Sequence, residues 1–329
     1  MNSRRTLIKT GLAASSAMML NAQTLNAQNT PVKVIIPFPA GGGGDTLARL
    51  MLLPAVANYS GTPNVVFENI GGAGGNLGAM AALRADRGSE TFLYGTNGTH
   101  AINQTLYAKP GFNAINDFEP VSRLSSIALL VVVRPNLNVN SLADLLKLLR
   151  SSPGKFTYGS GGNGTTSHLA MESLKAQAGL HVVHVPYRGG AQAITDLIGG
   201  QVDMMIEISA DAAPQVKADR IRALGVSTLT RLPGFDVLPT IAESGVPGFD
   251  VSAWDAVFMP KLQGSANQAS IEKMNRSVRA ALSDSKLKEQ LLARGAVPTP
   301  SSPDELKRFV TAEIERWAVA IKRSGAKID

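Results

Sequence analysis

Three times along this chain a short apolar run passes into a glycine-rich turn and then into a helix, at residues 37–45, 71–78 and 159–166. This pattern leaves little choice of architecture. Glycine adopts backbone conformations closed to other residues, so the chain can reverse sharply where each strand ends. Strands alternating with helices build parallel sheets covered by helices on both faces. The rest of the chain follows suit. Strands are expected at 32–36, 65–68, 92–94, 129–133, 156–158, 181–185, 202–206 and 221–226, with helices at 46–58, 142–150 and 166–178. Pro54 should kink the first helix. The last helix is marked most clearly: Ser302 as N-cap, Pro303 at the first helical position and Glu305 closing a capping box. Leu306, Phe309, Val310, Trp317 and Ile321 then recur at helical spacing, as a packing face.

The first residues address the chain for export. Ser3-Arg4-Arg5-Thr6-Leu7-Ile8-Lys9 is a twin-arginine pattern, followed by a weakly apolar stretch over 11–20 and a polar region with Ala22 and Ala27. The apolar part is too short to span a bilayer. Cleavage is expected near Ala27, with Leu25 an imperfect match to the small-x-small rule; the alternative is a cytoplasmic protein with a basic tail. The whole chain carries +7; Arg4, Arg5 and Lys9 lie in the signal and no acid does, so its removal leaves +4. These charges are scattered, with few aromatics between them, which argues against nucleic acid as a partner. The chain has no cysteine, which excludes disulfides and thiolate chemistry. It is long enough for two domains without such staples.

The turns carry the chemistry. In Pro37-Phe38-Pro39-Ala40-Gly41-Gly42-Gly43-Gly44-Asp45, free N–H groups at a helix start face whatever lies in front, with the positive end of the helix dipole behind them. Asp45 is expected to cap that helix. The result is a cradle for a carboxylate or phosphate, without the Gly-Lys-Ser/Thr of a P-loop. Glycines in Gly71-Gly72-Ala73-Gly74-Gly75-Asn76-Leu77-Gly78 could do the same or could admit close helix packing. In the third turn, Gly159, Gly161 and Gly164 match the spacing of a dinucleotide fingerprint. The following strand ends in Pro186-Tyr187-Arg188, with no acid to hold a ribose hydroxyl. An anion cradle built from Ser160, Thr165 and their amides suits these residues better.

Other polar groups have the types that chemistry needs. Ser160 with His168 could form a nucleophile and base, but no third group is evident to orient the histidine. His181 and His184 fall on opposite faces of one strand, and no metal-ligand set is present. Asp203 and Glu207, four apart, share a strand face. They are either a solvated edge or polar contacts to a ligand.

With these residues in view, the chain resembles the Bug/TctC family, the periplasmic receptors of tripartite tricarboxylate transporters. The likeness runs through Pro37-Phe38-Pro39-Ala40-Gly41-Gly42 with Asp45, Ala48 and Arg49, then Glu68-Asn69 and Gly72-Ala73-Gly74-Gly75. It continues through Asp117-Phe118-Glu119-Pro120-Val121, Pro153-Gly154-Lys155 and the turn from Tyr158 to His168-Leu169. Val185-Pro186-Tyr187-Arg188-Gly189-Gly190, Gly200-Gln201-Val202-Asp203 and Pro239-Thr240-Ile241-Ala242-Glu243-Ser244-Gly245 complete the series. Gly71 stands where a proline is usual, Gly43-Gly44 leaves the first turn unusually bare, and Glu207 stands where aspartate is common.

The resemblance implies a Venus-flytrap α/β fold (type II-like), with two domains of mainly parallel sheets flanked by helices. Crossings are expected near 129–133 and 250–257. The expected organisation is an export signal at 1–27, domain 1 at 28–129 and 251–329, and domain 2 at 130–250. A small carboxylate would then be held by Phe38, Ala40, Gly41, Gly42 and Asp45 from one domain. Ser160, Gly161, Asn163, Gly164, Thr165 and His168 would hold it from the other, with Asp203 and Glu207 as further contacts. No cofactor, metal or catalytic residue is expected. The implied protein is a periplasmic monomer serving membrane transporter subunits. The alternatives are a sensor for a membrane signalling receptor, or an exported hydrolase using Ser160 and His168.

Overall fold

The computed structural model describes residues 31–60, 65–85, 90–261, 266–326 and 328. The export signal expected at 1–27 lies outside the described residues. The strands are β1 (Val32–Ile36), β2 (Val65–Asn69), β3 (Glu90–Thr96), β4 (Phe118–Val133), β5 (Thr157–Ser160), β6 (Val183–Pro186), β7 (Met204–Ile208), β8 (Arg222–Val226), β9 (Ser252–Pro260) and β10 (Ala296–Pro298). The α-helices are α1 (Gly43–Ser60), α2 (Asn76–Leu83), α3 (Asn103–Leu106), α4 (Leu142–Ser151), α5 (Thr166–Ala178), α6 (Gly190–Ile198), α7 (Ser209–Lys217), α8 (Ala266–Ser283), α9 (Ser285–Leu292) and α10 (Pro303–Ser324).

The strands run in the order β2-β1-β3-β9-β4-β7-β5-β6, with β10 and β8 also on β4. The outer ladders are parallel: β1 with β2 and β3, and β5 with β6 and β7. The ladders made by β4 and β9 are antiparallel. Strand β4 divides this row into two lobes. From Phe118 to Ala128 it pairs with β9, and from Leu129 to Val133 it pairs with β7. Its second half, Leu129-Leu130-Val131-Val132-Val133, is buried throughout, as expected of a strand covered on both faces.

A second segment returns beside it, where Val251 N–H donates to the Ser227 carbonyl and β9 then begins at Ser252. The Ser227 hydroxyl ties the two passages together. It donates to the Val251 carbonyl (2.6 Å) and accepts from the Leu129 amide (3.0 Å).

Helix α10 begins as its sequence dictates, with Ser302 as N-cap, a reciprocal bond from Glu305 and Pro303 in the first turn. Leu306, Val310, Trp317 and Ile321 are buried, while Phe309 is partly buried beside Trp254. The helix packs on β4, on the π-helical segment Gly98–Ile102 and on α5, and so touches both lobes. Glu313 fixes its depth. One carboxylate oxygen accepts from the indole N–H groups of Trp254 (2.7 Å) and Trp317 (3.1 Å), and the other pairs with Arg316 (2.6 Å). Replacing Glu313 by Ala leaves two buried indole donors without partners, each worth about 1–3 kcal/mol. Chemical denaturation should show Glu313→Ala less stable by at least about 2 kcal/mol; an unchanged midpoint would refute the anchoring role.

Candidate functional site

A cleft of about 220 Å3 lies between the lobes, at the carboxyl ends of β1, β5 and β7, where open α/β sheets place their ligands. Three helix N-termini reach it. Strand β1 runs into α1 through Phe38, Pro39, Ala40 and Gly42; β5 runs into α5 through Gly161 and Thr165; β6 runs into α6 through Gly189 and Gly190. The first amides of a helix have no partner within it, and Gly43, Thr166 and Ser167 occupy such positions on the cleft wall. The apolar floor comes from the crossing strands: Ile127 of β4, and Ala253 and Trp254 of β9. Below it, Tyr94 donates to Asp255 (2.5 Å), which also accepts from the Ser125 amide and hydroxyl (both 2.7 Å).

The first turn is braced from behind. Gly41, at φ +83°, holds a conformation that favours glycine, and its N–H donates to Asp45 (2.9 Å). Asp45 also accepts from Arg49 (2.8 Å) and from Asn69 (2.9 Å), which in turn donates to the Phe38 carbonyl (3.0 Å). Burial works against this carboxylate, yet the Gly41, Asn69 and Arg49 bonds hold its pKa below the ordinary value. Asp45 therefore bonds backward from inside the first helical turn and is not the N-cap of α1. Neither it nor Gly41 lines the cleft.

The third turn is braced similarly. Ser160 is fully buried; its hydroxyl meets Nε2 of His184 (2.7 Å) and accepts from the Gly162 amide (3.2 Å). His168 is not its partner. Instead, His168 stacks on His184 with centroids 4.4 Å apart and accepts from the Gly164 amide (3.3 Å). Burial keeps both imidazoles neutral, with pKa lowered to about 4 at His168 and about 3 at His184. Ser160, Gly164 and His168 thus shape the turn without lining the cleft. Asn163 lies in an adjoining groove, where its carbonyl accepts from Tyr107 (2.9 Å).

Of Asp203, just before β7, and Glu207 within it, Glu207 alone reaches the cleft. At roughly 3.3 Å per residue, four residues separate Asp203 from Glu207 by about 13 Å along the strand. Asp203 sits at the far end, bonded to Arg134 (2.9 Å) and the Thr157 amide (2.8 Å). Glu207 lines the cleft and is 4% exposed. Its Oε1 accepts from the Ile208 amide (3.0 Å). Of the residues the sequence offers as ligand contacts, Phe38, Ala40, Gly42, Gly161, Thr165 and Glu207 line the cleft.

Several lining residues were not singled out as ligand contacts from the sequence. Asp211, near the start of α7, accepts from the Gly43 amide across the cleft (2.5 Å). Asn97 follows β3, and its side-chain oxygen accepts from Thr166 of the opposite lobe (2.7 Å). Gly189 and Gly190 form another glycine turn, with Gly189 at φ +150°. The signal for both turns was available: Asn97-Gly98 and Gly189-Gly190 each sit between a strand and a helix. Asp211 gave no local signal, because only the fold brings it back to α1. In the second glycine turn, Gly75 and Gly78 face Thr99 and Pro37 so closely that a Cβ would lie 2.8 Å from each. These two serve packing, while Gly74 lines the cleft.

The profile of the tripartite tricarboxylate transporter family receptor, TctC, matches residues 54–326. The chain belongs to this family. BugT of Bordetella pertussis is 31% identical over 332 residues, covering all of both chains. The structure of R. palustris Rpa4515 with adipate superposes with a TM-score of 0.86 at 34% identity, covering 91% of this chain and 99% of that one. MatC of Rhodopseudomonas palustris with bound malate gives 0.82 at 29% identity, covering 89% and 99%. The architecture is thus the two-domain α/β fold of the TctC periplasmic binding proteins, a family of solute receptors rather than enzymes.

Within this TctC-family cleft, burial and the nearby Asp211 carboxylate push the Glu207 pKa well above the ordinary range. The consequence for stability has a definite sign. The folded chain keeps a proton that the unfolded chain releases near 4.5, so this contribution is complete below 4.5 and is lost as pH rises toward about 8. Glu207→Gln removes the titration. Thermal unfolding should place its midpoint higher relative to the parent at pH 8 than at pH 4.5; a difference independent of pH would refute the titration.

Proposed function

We propose that this chain captures a small carboxylate-bearing solute in the cleft and delivers it to a tripartite tricarboxylate-type membrane transporter. The carrying observation is the convergence of three helix N-termini on a cleft that, among the described residues, is lined by no Lys, Arg or His. In place of cationic side chains, main-chain amides and the positive ends of helix dipoles favour an anion in the cleft. Hydrogen bonds to a charged group contribute about 1.5–3 kcal/mol each, and micromolar affinity needs about 8 kcal/mol, so a few amides and an apolar floor suffice. The ligands of two similar structures, adipate and malate, support the same class.

In this reading residues 28–129 with 251–329 form one domain and 130–250 the other. Closure turns on the two passages held by Ser227. The hydrogen bonds from Gly43 to Asp211, Thr166 to Asn97 and Tyr107 to Asn163 join the lobes in the closed form. A ligand that contacts both sides favours this form over an open one. The twin-arginine segment would send the chain to the periplasm, where a membrane partner meets the closed surface.

Gly161 gives the direct test. A Cβ there would lie 3.3 Å from the Gly190 amide, so a branched side chain intrudes between two of the helix starts. Trp254 lines the cleft and reports on it by fluorescence. Titration of the ligand-stripped mature chain with small carboxylates should change that emission, and Gly161→Val should weaken binding by at least about 100-fold, the worth of two such hydrogen bonds. Unchanged affinity in a folded Gly161→Val chain would overturn the amide cradle.

A further inference from the structure

Two buried polar atoms face the cleft without a partner among the described residues, and they are of opposite kind. Asn97 is 1% exposed; its oxygen is held by the Thr166 hydroxyl, while Nδ2, a donor, is unsatisfied. Glu207 is 4% exposed; Oε1 is held by the Ile208 amide, while Oε2 is unsatisfied. Buried polar atoms are nearly always bonded, and an orphan on a binding surface indicates what a ligand must supply. Asn97 stands with the unsatisfied first-turn amides of α5 and asks for an acceptor. Glu207 stands with Asp211 and asks for a donor.

The charge around Glu207 sharpens the demand. Facing it are Asp211 from α7, the Gly190 start of α6, where an added Cβ would lie 3.1 Å from the Glu207 carboxyl and 2.6 Å from that of Asp211, and the Ser167 hydroxyl at the start of α5, which favours the ionised carboxylate. Tyr94 of β3 is the further titratable group on the wall, already committed to Asp255. No cationic side chain of the described residues lines this region. A second carboxylate placed here would meet two acids, whereas an ammonium group would pair with both.

We infer that the cleft selects amphoteric solutes, amino acids in the broad sense. The carboxylate of such a solute would lie on Asn97 and the α5 amides, and its ammonium group on Glu207 and Asp211. This rests on the carboxylate reading above and narrows it. Glu207 and Asp211 are then specificity residues that touch the ligand. Binding also drives a proton from the acid pair, because the arriving cation favours both carboxylates in their ionised form. Burial raises the pKa of each acid in its absence, and the Asp211 carboxylate adds to the rise at Glu207.

Isothermal titration of the ligand-stripped mature chain distinguishes the possibilities. The probes are 5-aminopentanoate, 6-aminohexanoate, leucine and glutamine. Each is paired with its deaminated acid and its N-acetyl derivative, and the two straight-chain compounds also with the dicarboxylates glutarate and adipate. Measurements at pH 7 in two buffers of different ionisation enthalpy report proton release. The expected result is that at least one amino acid binds tenfold or more tightly than every matched acid lacking the ammonium, with protons released. Glu207→Gln and Asp211→Asn, each checked for folding by circular dichroism, should reduce that preference to under threefold. Dicarboxylates or simple acids that bind as tightly as the amino acids, or binding that takes protons up, overturn the inference and leave the carboxylate reading standing. Absence of binding by any of these acids overturns both.

Discussion

The Ser227 hydroxyl bridges the Leu129 amide and the Val251 carbonyl, and so locks together the only two passages of the described chain that carry it from one sheet to the other. A strand shared by two sheets has a particular mechanical character. On either side of the junction β4 is held by ladders, so its change of partners falls within a single peptide step. Ala128 still belongs to β9 and Leu129 already belongs to β7. The cleft opens over that junction, and its floor is made from the same strands. The orientation of the lobes and the depth of the floor therefore depend on the same few hydrogen bonds.

Much of this architecture was legible in the sequence because it is local. Apolar runs bounded by glycine turns gave the strands and helices within a few residues, and the Ser302-Pro303-Glu305 capping pattern appears at α10 as expected. The family series added the two-lobed arrangement. What local reasoning missed is tertiary. β4 reads as a short strand over 129–133 because its first half, interrupted by Pro120, Ser122 and Arg123, lacks a continuous apolar run; pairing with β9, with two register shifts, sustains it. The antiparallel ladders of β4 and β9 depend on chain return over long distances, which no periodicity reports.

The site shows the same division. Glycine turns marked where the chain could approach a ligand, and Phe38, Ala40, Gly42, Gly161 and Thr165 do line the cleft. The same turns also contain side chains that bond inward to their own backbone. Asp45, Ser160 and His168 are polar because a bare glycine turn needs internal partners to hold one shape, and polarity alone does not separate brace from wall. Asp203 and Glu207 share a face by spacing, but a cleft at the carboxyl end of a strand is reached by one of them. Asp211 and Asn97 are brought to the site by the sheet order, and that order lies beyond any local window.

Gly74 and Gly164 lie where the lobes meet. They stand at φ +62° and +85°, and a Cβ on Gly74 would come within 2.5 Å of the Asn163 carbonyl, while one on Gly164 would overlap the Asn103 side chain. One lobe's backbone is thus stopped at this point by the other's backbone and by an asparagine pinned to Asn76 and Gly74. Flexible side chains at such a seam would make the gap a distribution, with rotamers smearing the distance between the walls. Peptide planes leave less latitude, so where Gly74 meets Asn163 the approach of the lobes ends on backbone, as on a gauge block.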